Sequence, residues 1–165
     1  AASEALAPTQ SLAGGELLRI FREPSAMQKR NAGATASSSQ AGYGPEAVLD
    51  GDPSTFWHTS WSPATDPPHS LKIDLGRLRM VSGVRYTPRQ DGDNGVFKRY
   101  RGESSEAGYQ WSQIEEGEGS AAGSGGVRSV DWAARSARYV RLTMLESMNG
   151  GTHGSAAEVE VVVVE

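Results

Sequence analysis

Signals for tight turns recur along most of this chain, about 8 to 12 residues apart. Glycine and proline interrupt helices, because glycine is too free in its backbone and proline lacks an amide hydrogen. Such regular interruptions leave room for short strands, and the spacing is typical of an all-β sandwich or barrel. The turn signals are residues 42–45 (GYGP), 50–53 (DGDP), 66–68 (DPP), 91–95 (DGDNG), 116–126 (EGEGSAAGSGG) and 149–151 (NGG).

Between the turns, apolar and polar residues alternate with the period of a half-buried β-strand. Three segments show this pattern, at 71–75, 139–144 and 157–164, and the last is rich in β-branched valine. The alternation predicts which side chains face the core. The predicted core positions are Leu71, Ile73, Leu75, Val140, Leu142, Met144, Val159, Val161 and Val163.

Composition excludes several classes of function. The chain has no cysteine, so it forms no disulfide, thiolate metal site or cysteine nucleophile. A formal net charge of −4 without a Lys/Arg stripe argues against a nucleic-acid partner. The longest aliphatic run, Val161 to Val164, is far too short for membrane insertion as a helix.

Domain organisation is predicted to be simple. We interpret residues 1–30 as a leader or linker with a possible first element, and residues 31–165 as one β-sandwich domain. Glu16 to Phe21 fits either a short helix or an opening strand, since its apolar residues follow neither period cleanly. The Gly-rich segment 116–126 is expected to be a flexible hairpin connection.

The turn that follows Ala47 concentrates oxygen-bearing side chains. Asp50, Asp52 and Thr55 lie within six positions, and hard oxygen ligands at this density suit Ca²⁺. The segment is not an EF-hand loop, because position 6 would be Thr55 and position 12 would be Trp61. On this segment alone, a solvated Asp-Gly turn is the favoured interpretation, and a remote acidic residue is needed to favour a metal site.

Six segments in a fixed order resemble carbohydrate-binding module family 32, the bacterial branch of the discoidin or coagulation-factor type C domains. The resemblance covers about 125 residues and implies a jelly-roll β-sandwich of the galactose-binding type, with ligand-binding loops at one end. The segments are 36–39 (ASSS), 47–61 (AVLDGDPSTFWHTSW), 67–76 (PPHSLKIDLG), 81–100 (VSGVRYTPRQDGDNGVFKRY), 137–144 (ARYVRLTM) and 155–161 (SAAEVEV).

The resemblance implies a structural calcium ion that ties the first loop to the last strand. Glu158 then supplies the remote carboxylate that the acidic turn alone lacks. The implied ligands are the Asp50 side chain, the carbonyls of Ala47 and Asp52, Thr55 through hydroxyl and carbonyl, and Ala157 with Glu158.

The same resemblance implies a sugar site at His58, Trp61, Arg89 and Asn94. The three polar side chains can match vicinal hydroxyls that both donate and accept, and Trp61 offers a face for the C–H patch of the sugar ring. Where the family usually carries a second stacking aromatic, this chain has His153.

The other aromatic and histidine residues of these segments are assigned to packing. His69 follows two prolines at a strand entry, which favours a structural role. The side chains assigned to the core or the sheet surface are Phe56, Trp57, Trp111 and Trp132.

The resemblance implies a glycan partner and no catalysis. We expect recognition of terminal galactose or galactosamine-type sugars by a monomeric module fused to a glycoside hydrolase or related enzyme. Such an enzyme would be extracellular, either secreted or on the bacterial cell surface. An enzyme interpretation lacks a nucleophile motif, and the Gly-x-Gly pattern that starts at Gly117 has no strand-turn-helix context.

A second alternative is a discoidin-like domain that binds protein or phospholipid. Such domains favour exposed apolar spikes, basic patches or disulfides, and the sequence offers none of these clearly.

Overall fold

Antiparallel β-sheet makes up nearly all the regular structure of the described residues. The computed structural model describes residues 18–20, 33–118 and 126–164. A 3-10 helix spans Pro45–Leu49, with a proline at its start. The strands are β1 (Leu18–Ile20), β2 (Gly33–Ala36), β3 (Trp57–His58), β4 (His69–Thr87), β5 (Phe97–Ser105), β6 (Ser112–Glu118), β7 (Arg128–Ser147), β8 (Ser155–Ala156) and β9 (Glu158–Val164).

The two longest strands, β4 and β7, pair with each other along most of their length and pass through both layers of the fold. Their register shifts between Asp74 and Arg79, where Gly76 adopts a φ of +83° that favours glycine. Before the shift, β4 pairs with β2 while the matching part of β7 pairs with β5, which in turn pairs with β6. After the shift, β4 pairs with β9, and β9 with β1. The result is the predicted all-β sandwich of jelly-roll type.

The core lies between these two layers and contains the predicted positions. Leu71, Leu142 and Val161 are at most 1 % exposed, and burying a side chain of this kind contributes about 1.5 to 3 kcal/mol. Trp132 reaches across to β5, where a β-carbon on Gly102 would lie 2.9 Å from its ring. Only glycine therefore lets the two layers close around this indole.

The structure decides one ambiguous segment and leaves others undescribed. Residues 18–20 form a strand that pairs with residues 162–164, so the opening strand is the correct alternative for this segment. The rest of the leader, residues 1–17 and 21–32, lies outside the described residues, and the boundary near residue 31 stays a prediction. Glu116 to Glu118 belong to β6 rather than to a loop, and residues 119–125 of that connection are also outside. Within the described residues, no helix has the length and hydropathy that crossing a membrane requires.

Candidate functional site

Loops from distant parts of the chain are fastened together at one end of the sandwich. β3 pairs with β8, so His58 lies opposite Ser155. Ser155 donates its amide to the carbonyl of Gly95 at 2.8 Å and its hydroxyl to the carbonyl of Asn94 at 2.8 Å. A β-carbon on Gly95, whose φ is +80°, would lie 2.8 Å from the carbonyl carbon of Gly154. This close approach requires glycine, and it brings Asn94 beside His58.

A cavity of about 260 Å³ opens among these loops. Four of the five residues predicted for the sugar site line it, all except His153, and they come from two segments that are distant in sequence, one at β3 and one between β4 and β5. The volume is near the lower end for ligand sites, which suits one small polar molecule. The lining residues are Tyr43, Phe56, His58, Trp61, Arg89 and Asn94.

Aromatic side chains form the apolar side of the cavity. Trp61 is 45 % exposed and its ring meets the His58 ring edge-on, with centroids 4.9 Å apart and planes at 82°. Tyr43 stacks on Phe56 with centroids 5.1 Å apart, and it also lies 5.5 Å from Trp61. A large indole that stays half-exposed beside polar groups is a surface ready to cover an apolar patch of a ligand.

Arg89 is the cation of the cavity, and its guanidinium is held from two sides. Its Nε donates to Asp91 Oδ1 at 2.7 Å and its Nη2 to Asp91 Oδ2 at 3.2 Å. Its Cζ lies 4.2 Å from the centroid of the Phe56 ring. A third N–H, from Nη1, reaches the carbonyl of Asn94 at 3.4 Å. Among the described residues these contacts use three of the five N–H groups, and two remain for a ligand.

The Arg89–Asp91 pair also affects the carboxylate. The hydrogen bond from Arg89 lowers the pKa of Asp91, so this side chain stays ionised. Such a bidentate pair fixes the plane of the guanidinium as well as its position.

His58 is a buried imidazole whose hydrogen bonds fix its tautomer. Its Nδ1 lies 2.7 Å from the Thr59 carbonyl, which can only accept, so Nδ1 carries the proton. Asn94 Nδ2 lies 3.3 Å from His58 Nε2, which accepts in the neutral ring. Burial lowers the pKa of His58, the hydrogen bond to Thr59 opposes this, and His153, Arg89 and His69 lower the pKa further, so the net shift is downward. The ring is therefore neutral at pH 7, with an acceptor nitrogen at the cavity.

His153 stands next to His58 rather than among the residues lining the cavity. The two ring centroids are 5.3 Å apart, and the His153 side chain is half-buried. His69 is buried, and its Nε2 lies 2.5 Å from the carbonyl of Thr152. His69 therefore holds the loop that carries His153, which is a structural contact of the kind its sequence position indicates.

The acidic turn is ordered by its own oxygens. Asp50 Oδ1 accepts the Asp52 amide at 2.8 Å, and Asp50 Oδ2 accepts the Thr55 hydroxyl at 2.5 Å. The carbonyls of Ala47 and Asp52 each accept one backbone amide, at 3.3 and 3.1 Å. These oxygens belong to the 3-10 helix and to the tight turn that follows it.

Glu158 joins this turn from β9. Its carboxyl group is hydrogen-bonded to that of Asp50, and burial together with this second carboxylate raises the pKa of Glu158 to about 8. Glu158 Oε1 is buried without a hydrogen-bond partner. Two facing carboxylates beside hydroxyl and carbonyl oxygens form a set that a hard cation fits.

Ala157, the remaining predicted ligand, is buried next to Glu158 and donates its amide to the Thr87 carbonyl at 2.8 Å. No group of three or more His, Asp or Glu side chains is gathered among the described residues, so carbonyl and hydroxyl oxygens would supply much of the coordination.

Sequence reasoning missed several residues of the cavity. Phe56 was assigned to packing, but it is half-buried, lines the cavity and supports Arg89. Tyr43 lies between two glycines of a turn, where an aromatic side chain has no core to fill; that position was the available signal. Asp91 was recognisable only as part of an Asp-Gly turn. Trp57, by contrast, is fully buried as predicted.

Comparison with known proteins places these features in a family. The chain is 39 % identical over 116 residues to a sialidase of Micromonospora viridifaciens, which is 69 % of this chain and 18 % of the sialidase. The chain spans about a fifth of the length of the curated relatives it matches.

Solved structures share the whole domain. One is module CpGH89CBM32-5 of Clostridium perfringens in complex with GalNAc-β-1,3-galactose, with a TM-score of 0.74 and 31 % identity over 81 % of this chain and 96 % of that one. Another is the family 32 module of NanJ from the same organism in complex with galactose, with a TM-score of 0.75 and 26 % identity over 88 % and 99 % of the two chains.

The family model of the F5/8 type C domain matches residues 33–159. This range contains both the cavity and the acidic turn, and the match confirms the resemblance to family 32 modules. The chain belongs to the F5/8 type C domain family.

Proposed function

We propose that this chain is a non-catalytic module that binds a terminal galactose or galactosamine-type sugar. The observation that carries the proposal is the convergence of His58, Arg89, Asn94 and Trp61 on one small cavity. Three of them offer a neutral acceptor, a fixed cationic donor and an amide that does both. The fourth offers an aromatic face.

The division of these roles matches the chemistry of such a sugar. Hydroxyls on neighbouring ring carbons can donate to His58 Nε2 and accept from the free N–H groups of Arg89, with Asn94 between them. An axial O4 lies on the face of the sugar ring that these three polar side chains would contact. The opposite face presents C–H groups, which the exposed Trp61 ring can cover without removing water from the hydroxyls.

The ligands of two relatives support this choice of sugar. The solved modules that resemble this chain were crystallised with GalNAc-β-1,3-galactose and with galactose. A shallow site of this size is expected to bind one sugar weakly, with a Kd on the order of 10 μM to 1 mM.

Weak binding becomes useful when the module is linked to an enzyme. We propose that the module is monomeric and keeps an attached glycan-active enzyme close to its substrate, outside the cell or on its surface. Linkage raises the effective concentration of the enzyme at a glycan without any new contact. The matched sialidase, of which this chain spans 18 %, supports such an arrangement.

We further propose that Ca²⁺ binds at the acidic turn in a structural role. Asp50 and Glu158 would supply the carboxylates, with oxygens of Ala47, Asp52, Thr55 and Ala157 completing the set. The ion would take the place of the proton that keeps Glu158 neutral beside Asp50, and it would tie the first loop to β9.

Calorimetric titration tests the sugar proposal directly. Galactose and N-acetylgalactosamine should bind, glucose should bind at least about tenfold more weakly, and Arg89→Ala should abolish measurable binding. Arg135→Ala is the matched control, because Arg135 is an exposed arginine of β7 that does not line this cavity.

Three outcomes would contradict the proposed function. The first is equal binding of galactose by the wild type and by Arg89→Ala. The second is binding to liposomes or to a protein partner that persists in excess galactose and in His58→Ala. The third is turnover of aryl glycosides by the isolated chain.

A further inference from the structure

Asn149 anchors a run of hydrogen bonds that ends at His58. Its Oδ1 accepts the backbone N–H of Gly151 at 2.8 Å, in an Asx turn, and the hydroxyl of Ser147 at 2.8 Å. A backbone N–H can only donate, so the atom facing Gly151 must be the oxygen. The orientation of the Asn149 amide is fixed by this one contact.

The orientation of the Asn149 amide then determines the orientation of the Asn94 amide. Asn149 Nδ2 lies 3.4 Å from Asn94 Oδ1, and Asn94 Nδ2 lies 3.3 Å from His58 Nε2. At the far end, His58 Nδ1 donates to the carbonyl of Thr59 at 2.7 Å. A carbonyl can only accept, so the direction derived from Thr59 agrees with the direction derived from Gly151.

We propose that Asn149 is a positioning residue of the sugar site, which sets the Asn94 amide and thereby keeps His58 Nε2 unprotonated, as an acceptor whose one lone pair a ligand hydroxyl takes over from Asn94. This inference rests on the proposed function, and it adds a residue that does not line the cavity. It also assigns a role to the Asn-Gly-Gly turn, because Gly150 adopts a φ of +77° that lets the backbone turn back toward the Asn149 side chain.

This run of hydrogen bonds from Asn149 through Asn94 to His58, which we call the relay, disfavours protonation of His58. A proton on Nε2 would face the N–H of Asn94, so Asn94 would have to reverse and present its Nδ2 to Asn149. Asn149 cannot reverse in response, because Gly151 holds its oxygen.

The charges around His58 act in the same direction. The groups that face it are Arg89, His153 and His69, each of which opposes a positive charge on the ring. Asp91, the nearby carboxylate, is already paired with Arg89. These charges therefore reinforce the relay, and removing the relay alone leaves their part of the opposition in place.

The variant Asn149→Asp tests the relay while keeping its anchor. A carboxylate still accepts from Gly151 and Ser147, but it presents an oxygen to Asn94 instead of an N–H. We expect Asn94 to reverse, its oxygen to face His58, the pKa of His58 to rise and the affinity for galactose at pH 7.5 to fall about tenfold. Nitrogen-15 NMR of the imidazole reports the tautomer and pKa without any sugar present.

The added negative charge needs its own control. Thr152→Asp places a carboxylate on the exposed part of the same loop and leaves Asn149 intact. Asn149→Ala removes the constraint without adding charge, and it should weaken galactose binding several-fold while thermal unfolding shows an intact fold. These two variants separate the relay from charge and from simple loss of structure.

The proposal is overturned if the pKa of His58 moves no further in Asn149→Asp than in Thr152→Asp, or if both Asn149 variants bind galactose as the wild type does. Failure of the wild type to bind galactose refutes the proposed function instead. In that case the NMR measurement still decides whether Asn149 controls the state of His58.

Discussion

Arg89 reaches the cavity already oriented by Asp91, through a 2.7 Å hydrogen bond from its Nε and a second one from its Nη2. Asp91 itself is exposed and does not line the cavity. The carboxylate thus acts on a ligand only through the cation it holds.

Removing that carboxylate should weaken binding without unfolding the protein. We expect Asp91→Ala to reduce the affinity for galactose about three- to tenfold, less than Arg89→Ala, because the guanidinium keeps its contact with Phe56. The melting temperature should change by less than about 2 °C, since an exposed ion pair contributes little stability. Asp93→Ala, in the same turn, is the control, and equal affinities of the two variants would refute the role of Asp91.

Two tryptophans four positions apart should behave oppositely when replaced by alanine. Trp61 is 45 % exposed at the cavity, so Trp61→Ala should lower galactose affinity about tenfold while the melting temperature stays nearly constant. Trp57 is fully buried and donates its indole N–H to the Ser38 carbonyl at 2.9 Å, so Trp57→Ala should cost about 3 to 5 kcal/mol of stability. Thermal unfolding and titration of both variants check this, and a large loss of stability in Trp61→Ala would contradict it.

Acidic pH should weaken sugar binding through His58. Burial lowers its pKa below the ordinary value of 6.5, and the neutral ring is the form that accepts a hydrogen bond. Galactose affinity should therefore stay constant from pH 8 to about 6.5 and fall only at lower pH. Titration across this range checks the expectation, and a midpoint at or above 6.5 would contradict it.

His58 should also make the stability of the fold depend on pH. Since the pKa of His58 is lower in the folded than in the unfolded protein, its contribution is complete above about pH 6.5 and is lost as the pH falls toward the folded value. The melting temperature should therefore fall less steeply in His58→Gln than in the wild type between pH 7 and 5. Parallel curves for the two proteins would show that His58 is not responsible.

Calcium should stabilise the fold, and chelation should reverse the effect. At a free Ca²⁺ concentration about a hundredfold above Kd, the stabilisation is about 2.7 kcal/mol, which raises the melting temperature by about 5 to 10 °C. Glu158→Gln should lose this response, whereas Glu146→Gln, an exposed partner of Arg99, should keep it. An unchanged melting curve with EDTA, together with no metal by elemental analysis, would refute the site.

Short-range patterns in the sequence were enough to predict parts of three strands, β4, β7 and β9. The alternation through Leu71, Ile73 and Leu75 reflects a sheet with one buried face, and these side chains are buried. The bend at Gly76 was not predictable, because whether a long strand continues or turns depends on its partners in β7 and β9. Strand pairing of this kind is set by residues far away in sequence.

Prediction of the functional site from the sequence has the same limit. His58, Trp61, Arg89 and Asn94 were found because the family resemblance carries them in order, and they do share one cavity. Phe56 was misassigned, since a half-buried aromatic and a core aromatic look alike in a sequence. Asp91 and Asn149 act through contacts with other side chains rather than through a motif, so their roles became visible only from distances.

The pairing of β3 with β8 has a consequence for when the protein becomes functional during its synthesis. His58 is placed by Ser155, and Asn94 is held by the same serine, so the cavity needs residues that leave the ribosome almost a hundred positions after His58. Contacts of such large sequence separation form slowly and late. A nascent chain can therefore complete many of its strands while it is still unable to recognise a glycan, and recognition arises in the final steps of folding.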